Sequence, residues 1–526
     1  MKISAKNLEP LKPIIYLFNI LVLIAILVTA LPGVSLAGSD VKDSMVKIYA
    51  VENQPDYDNP WNMKGPSAAS GSGCVIQGKR ILTNAHVVSD QTFIQVRLHG
   101  RSKKYPARVV AVSHEADLAL LTVDEPAFFQ GVNPLAFGRL PQVEDEVVVY
   151  GFPKGGDTLS TTKGVISRIE HHRYVHSQIE LLATQLDAAV NAGNSGGPVI
   201  IDDLIVGVVM QSLTKAENIG YTVPVPVISH FLTDMEDGSY DGFPDDGISI
   251  QSLENEGLKK MYGLGETQSG TLVTAIVPGS PAEKKIFPGD VLLAVDGHPI
   301  ADDSTVEFRP RERTSCNYYV QLHQLGEEVI YKILRQRRIL TVKFKLNRAW
   351  GTERLVPFVK YDVRPTYYVY GGLVFCPLTL NYILTWGDDW AEDAPYNLLA
   401  CFVGGKLTRQ GEEAVIIIKA LPSAVNNSYD DYVNKRITEV NGKKIHNLRD
   451  LIRTVEDNPE TPYVVFKTKS NKTIALDRQK AEAEQAGILK TYQIAADRSI
   501  NLKTMVSQFA EGGRKVAGMV SLDSNM

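Results

Sequence analysis

The stretch Asn191-Ala192-Gly193-Asn194-Ser195-Gly196-Gly197-Pro198 decides how this chain is read. A serine hydroxyl is a poor nucleophile until a base takes its proton. That base needs an acidic partner to hold its tautomer and to stabilise the imidazolium that forms. Glycines on either side of Ser195 let the backbone turn sharply, so that the N–H groups of Gly193 and Ser195 can converge on one point, as an oxyanion hole requires. Upstream lie Thr83-Asn84-Ala85-His86 and Asp117-Leu118-Ala119-Leu120. Each candidate alone has an ordinary explanation: a turn, a structural histidine after an apolar strand, a cap before an apolar run. Together, in the order His, Asp, Ser within one domain-sized span, they point to acyl transfer by an activated serine, the chemistry of a serine protease. His114 is the rival base, but Ser113-His114-Glu115-Ala116-Asp117 is polar and loop-like, and His86 is preferred.

Around these motifs, from Val46 to about Leu232, short apolar runs alternate with Gly, Pro and Asp turns. Val109-Val110-Ala111-Val112, Val147-Val148-Val149-Tyr150 and Val206-Gly207-Val208-Val209-Met210 are examples. Many short strands at such spacing predict an all-β barrel domain. Val227–Leu232 reads as a short closing helix, and the turn-rich segment 236–247 as a linker. A chain of 526 residues is too long for one core.

Other segments carry a resemblance to a known family: Gly71-Ser72-Gly73, Tyr150-Gly151-Phe152-Pro153, Thr162–Ser167, Gln185–Asn191 and Glu217–Pro224. With the three motifs above, they resemble the HtrA/Deg family of ATP-independent serine proteases. The resemblance implies a mainly β chain: a chymotrypsin-like double β-barrel with the triad between the barrels, followed by two PDZ-like α+β domains. The expected boundaries are a leader over 1–37, a protease domain over 38–235, a first PDZ domain over 236–350, a divergent second PDZ-like domain over 351–498 and a tail over 499–526. Leu186, where many bacterial relatives carry Thr, is a departure from the pattern.

In this reading His86, Asp117 and Ser195 are catalytic, and Gly193, Asn194 and Ser195 form the oxyanion loop, with Gly193 and Ser195 donating. Met210, Gln211 and Ser212 line the specificity pocket. In the first PDZ unit, Thr271–Ile276, Gly279-Ser280-Pro281-Ala282 and Val291–Gly297 resemble the HtrA-type module, and Met261-Tyr262-Gly263-Leu264 is the expected peptide-carboxylate loop. The second unit repeats the theme: Ile437-Thr438-Glu439-Val440-Asn441-Gly442 parallels Leu292-Leu293-Ala294-Val295-Asp296-Gly297. Its bulky stretch Tyr367–Pro377, with Tyr382, Trp386 and Trp390 following, suits packing against another domain or subunit rather than release and rebinding of peptides.

Lys2, Lys6 and Lys12 precede an apolar run from Ile14 to Leu31 and the small-residue site Ser35-Leu36-Ala37, the layout of a secretory signal peptide. The expected location is the periplasm or another exported setting; retention as an inner-membrane anchor is the alternative, because the apolar run is long enough to span. An Arg-rich amphipathic presequence for an organelle is not visible. The net charge of −5 gives no basic field for nucleic acid. Cys74, Cys316, Cys376 and Cys401 show no metal-site spacing; Cys74 reads as a buried thiol, and Cys376 with Cys401 as the pair best placed for a disulfide. The histidines of His171-His172-Arg173-Tyr174-Val175-His176 read as a solvated loop rather than a metal site. No cofactor is expected, and no phosphate-binding loop suggests an ATP motor. Expected partners are unfolded polypeptides, C-terminal peptides at the first PDZ unit and further copies of the chain, built from trimers. The rival from another class is a non-proteolytic chaperone or PDZ scaffold on a protease-like body.

Overall fold

A computed structural model describes residues 40–212, 219–351, 354–457 and 459–503. The expected leader and the end of the tail lie outside these residues, and everything below concerns the unit from Lys42 onward.

Strands β1 (Met45–Glu52), β2 (Ser67–Ile76), β3 (Arg80–Thr83), β4 (Gln91–Leu98), β5 (Tyr105–Ser113) and β6 (Leu118–Thr122) close into a barrel in the order β1-β2-β3-β6-β5-β4. Inward side chains alternate along each strand, and Val46, Ile48, Val75, Ile81, Ile94, Val96 and Leu121 fill the interior. The second barrel follows from β7 (Ala136–Phe137), β8 (Glu146–Gly151), β9 (Ser160–Arg173), β10 (Glu180–Leu186), β11 (Pro198–Ile201), β12 (Leu204–Ser212) and β13 (Gly220–Pro224). The order β11-β8-β9-β10-β13-β12 closes through β11–β12 pairing, with β7 added parallel to β12. The expected closing helix is present and longer than the sequence reading, over Val225–Asp234.

A second body is a sheet of Ile248–Gln251, Thr271–Ile276, Val291–Val295, Glu328–Arg335 and Arg338–Lys345 in that order, with helices Glu256–Tyr262 and Asn317–Leu322. The third holds a sheet of Tyr368–Tyr370, Leu373–Pro377 and Val415–Ala420, and another of Lys443–Lys444, Ile437–Val440, Tyr463–Thr468 and Thr473–Asp477. The internal repeat is visible in the backbone. Asp296-Gly297 (φ 48° and 83°) and Asn441-Gly442 (φ 47° and 75°) make matching two-residue turns, closing Val295↔His298 and Val440↔Lys443.

The bulky segment of the third body is interior. Tyr382 and Ile383 are buried in its core, Trp386 and Trp390 pack on that core, and so do Tyr57 and Trp61 from the loop after β1. Lys419 Nζ adds an ion pair to Asp58 at 2.9 Å. The expected tail also differs: Ser499 N–H donates to Tyr367 O, and Leu502 is buried, so the fold continues past residue 498. All four cysteines are free thiols, which corrects the expected Cys376–Cys401 pairing. Cys376 lies on a strand and Cys401 on the helix Tyr396–Gly404. Burial pushes the Cys74 thiol up to about 12.

Candidate active site

His86 lies in a single 3-10 turn after β3, and Asp117 in the turn that opens β6. Pairing of β3 with β6, Thr83 opposite Ala119, brings these two turns side by side. Asp117 is fully buried and holds His86 twice: Oδ1 accepts the His86 backbone N–H at 2.9 Å, and Oδ2 lies 2.8 Å from Nδ1. Asn84 Nδ2 donates to Asp117 O at 2.7 Å, fixing the turn that carries the carboxylate. Burial alone would lower the His86 pKa, but the Asp117 charge and hydrogen bond outweigh it and hold it above the ordinary histidine value. Burial likewise opposes ionisation of Asp117, and His86 reverses this, so the carboxyl sits below its usual range. An imidazole gripped in this way by a buried carboxylate has the geometry that a general base requires.

Ser195 sits in the loop before β11, partly exposed. Its carbonyl accepts from Ser72 N–H at 2.9 Å, and Gly196 N–H and Val209 N–H stitch the loop to β12 through Val209 O and Gly197 O. Space here admits only glycine: a Cβ on Gly197 would stand 2.0 Å from Tyr150 O, and one on Gly196 2.2 Å from Ser72 O. Gly193 has φ +97°, and Lys154 N–H donates to Ala192 O at 2.7 Å. Among the described residues neither Gly193 N–H nor Ser195 N–H donates a hydrogen bond within the chain, whereas Asn194 N–H is bonded to Asn191 O at 3.0 Å.

Sequence reasoning missed Ser72. Its buried hydroxyl donates to Gly193 O and accepts from Phe152 N–H, both at 2.7 Å, tying the first barrel to the serine loop and to the end of β8. The glycines flanking it were the available signal: a Cβ on Gly71 would meet Val87 Cγ1 at 2.6 Å.

Met210 is buried and falls at a bulge in the β12–β13 pairing; the side chains of Gln211 and Ser212 lie outside the described residues. Met261, Tyr262, Gly263 and Leu264 form the end of a helix rather than an open loop. Gly263 and Leu264 N–H groups already donate to Lys260 O and Lys259 O, both at 3.1 Å, as helix-capping bonds.

The histidine cluster is not a solvated loop. His171 Nδ1 is 2.7 Å from Thr314 Oγ1 and its Nε2 2.9 Å from Gln321 Oε1, both in the second body. His172 stacks on Tyr221, and His176 is buried. His114 does not serve Asp117; its ring nitrogens face His176 and Asp362.

Double barrel, buried Asp–His pair and glycine-bound serine define the class of trypsin-like peptidases. Residues 71–208 match the family model "Trypsin-like peptidase domain", and residues 272–309 and 356–501 match models described as "PDZ domain". The chain is 38% identical over 86% of its length to "Protease Do-like 4, mitochondrial" of Arabidopsis thaliana, covering 84% of that protein. It is 36% identical over 88% of its length to "Protease Do-like 2, chloroplastic" of the same plant, covering 75%. Among solved structures it is similar to one described as "HtrA-type protease AlgW with decapeptide", with TM-score 0.46, 22% identity, and coverage of 58% of this chain and 95% of that one. The chain belongs to the HtrA/Deg (Do-like) family of serine proteases, and the expected class, a serine endopeptidase, stands.

Proposed function

We propose that the chain is an exported endopeptidase that cleaves unfolded or damaged polypeptides through a Ser195 acyl-enzyme. Ser195 Oγ attacks the scissile carbonyl as His86 takes its proton; Asp117 holds the imidazolium; Gly193 and Ser195 N–H groups receive the oxyanion. His86 then returns the proton to the leaving amine. One observation carries this reading: a buried carboxylate grips the histidine, and the serine loop, bonded to Ser72 of β2, holds two N–H groups that donate to no group among the described residues. The Met210 strand then lines the pocket for the residue before the cleaved bond, an apolar site suited to small or medium aliphatic side chains. With no motor in the chain, a substrate must offer an extended segment itself, which favours unfolded proteins.

The first PDZ unit is assigned C-terminal peptides, added along the outer strand Ile248–Gln251 of its sheet. The Gly263 and Leu264 amides are engaged in helix-capping bonds, so in this reading the segment Met261–Leu264 contributes side chains to the peptide site. The assembly is proposed to be built from trimers, and residues 1–37 to deliver the body across a membrane or tether it there. The organelle names carried by the plant relatives support delivery into a lumen of that kind. Casein digestion by wild type and Ser195→Ala tests the reading: the variant is expected to lose cleavage, and undiminished cleavage overturns it. N-terminal sequencing from the native host tests delivery, with Gly38 as the expected first residue.

A further inference from the structure

We propose that Tyr361 and Asp362, on the segment leading into the third body, are positioning residues for the His86–Asp117 pair, acting through His176 and His114. The proposal rests on the Ser195–His86–Asp117 reading and adds to it a part of the site supplied from some 250 residues further along the chain.

The segment 359–364 crosses the face of the first barrel. Asp362 N–H donates to Asp90 Oδ1 at 2.9 Å, and Asp90 N–H donates back to Asp362 Oδ1 at 2.6 Å. This reciprocal clasp places the Tyr361 ring flat on His176, with centroids 3.9 Å apart and planes 17° apart, and over His114 at 4.9 Å. Tyr361 Oη donates to His176 O at 2.9 Å. The His176 ring is also 6.1 Å from that of His86. His176 stands at the tip of the β9–β10 hairpin, closed by Tyr174 N–H to Ile179 O. Thus the tip of the second barrel neighbours the catalytic histidine and is covered by an aromatic ring from the C-terminal part.

The hydrogen bonds also set protons. Asp362 Oδ2 lies 2.9 Å from His114 Nε2, and His114 Nδ1 lies 3.0 Å from His176 Nε2. Burial opposes ionisation of Asp362, but the bonds from His114 and Asp90 outweigh it and hold its carboxyl below the usual range. An ionised Asp362 accepts only, so His114 carries its proton on Nε2, its Nδ1 accepts, and His176 donates from Nε2. His176 therefore donates from Nε2 to His114. The groups that face it are His86 and Asp117 on one side, and His114, Tyr361 and Asp362 on the other. Burial is the main reason that its pKa is pushed down to about 4. A charged His176 would compete with His86 for the Asp117 carboxylate and repel the imidazolium of the transition state. Burial under the Tyr361 ring keeps it neutral at working pH; the Asp362 charge alone would favour the protonated ring, so Asp362 acts by holding the segment and His114 in place.

The test is steady-state cleavage of a casein-derived fluorogenic peptide by the full chain, as a function of pH. Tyr361→Ala and Asp362→Asn are expected to lower kcat about tenfold or more with KM little changed, as misplacement of a catalytic group does. Tyr361→Ala is also expected to add an ionisation to the acid limb, as uncovering relieves the burial that holds the His176 pKa down, whereas Asp362→Asn is not. Asp362→Asn is nearly isosteric but turns one of two acceptors into a donor, so it tests the proton order without removing the ring. Tyr361→Phe keeps the cover and is expected to stay close to wild type. Wild-type kcat in both Tyr361→Ala and Asp362→Asn, with a wild-type pH profile in Tyr361→Ala and Ser195→Ala inactive in the same assay, overturns this inference alone. An equal loss in Tyr361→Phe and Tyr361→Ala counts against it as well. Full activity of Ser195→Ala overturns the underlying reading instead.

Discussion

Asp117 holds His86 by the backbone and by the ring at once, through its two carboxylate oxygens at 2.9 and 2.8 Å. The first bond fixes where the histidine turn sits; the second fixes which nitrogen carries the proton. Asp117 itself takes φ +52°, the left-handed region, which directs its carboxylate back toward the turn rather than along β6.

Asp117→Asn separates these two roles. The amide keeps the shape but cannot accept at both positions, so His86 shifts to the wrong tautomer. A fall in kcat of about 10⁴-fold is expected, with near-native circular dichroism. Peptide kinetics on the folded variant check it.

The same contact sets the pH dependence. A base works only when neutral, and Asp117 raises the pKa of His86 against the effect of burial. Activity therefore falls as pH drops through a value above the ordinary histidine range. A kcat/KM profile whose acid limb has its midpoint above about 6.5 is expected.

Gly193→Ala places a methyl group 2.5 Å from Lys154 N and Phe152 O, at a backbone angle that alanine resists. The loop must move, and the oxyanion loses its donor. A loss of about 10²–10³-fold in kcat is expected, with KM less affected. Ser72→Ala is expected to act in the same direction and more mildly, because it removes the hydroxyl bridge to Gly193 O rather than the donor itself.

Glu115 predicts a stability effect away from catalysis. It accepts from Tyr240 Oη and Phe243 N–H in the segment after the closing helix, and burial raises its pKa to about 7. An unfolded glutamate titrates near about 4.3. Between these values the unfolded chain has released a proton that the folded chain keeps, so stability falls as pH rises through that window and levels off above it. Glu115→Gln is expected to flatten this part of the melting-temperature profile, measured by calorimetry.

The catalytic motifs were legible because each chemical role demands a local pattern: glycines crowd Ser195, and apolar strands precede His86 and follow Asp117. The hairpin turns Asp296-Gly297 and Asn441-Gly442 were legible for the same reason, since left-handed backbone restricts the residue types. Tyr361 and Asp362 were not, and His176 was noticed only as part of a histidine cluster read as a solvated loop. Nothing local marks the first two, and the juxtaposition of all three depends on how a segment of the C-terminal part crosses the first barrel. Met261–Leu264 misled for the opposite cause: a glycine that caps a helix has the same letter as one that opens a carboxylate loop. The Cys376–Cys401 pairing misled because spacing in a sequence carries no information on whether a strand and a helix present their sulfurs to each other.

Whether Ser195 is the activated nucleophile is the central claim, and labelling by a fluorophosphonate tests it without depending on any substrate. Mass spectrometry of the full chain is expected to find one adduct, on Ser195, formed in wild type, slowed severely in His86→Ala and absent in Ser195→Ala. Labelling of Ser195→Ala at the wild-type rate, or an adduct on another residue with Ser195 unmodified, would contradict the account.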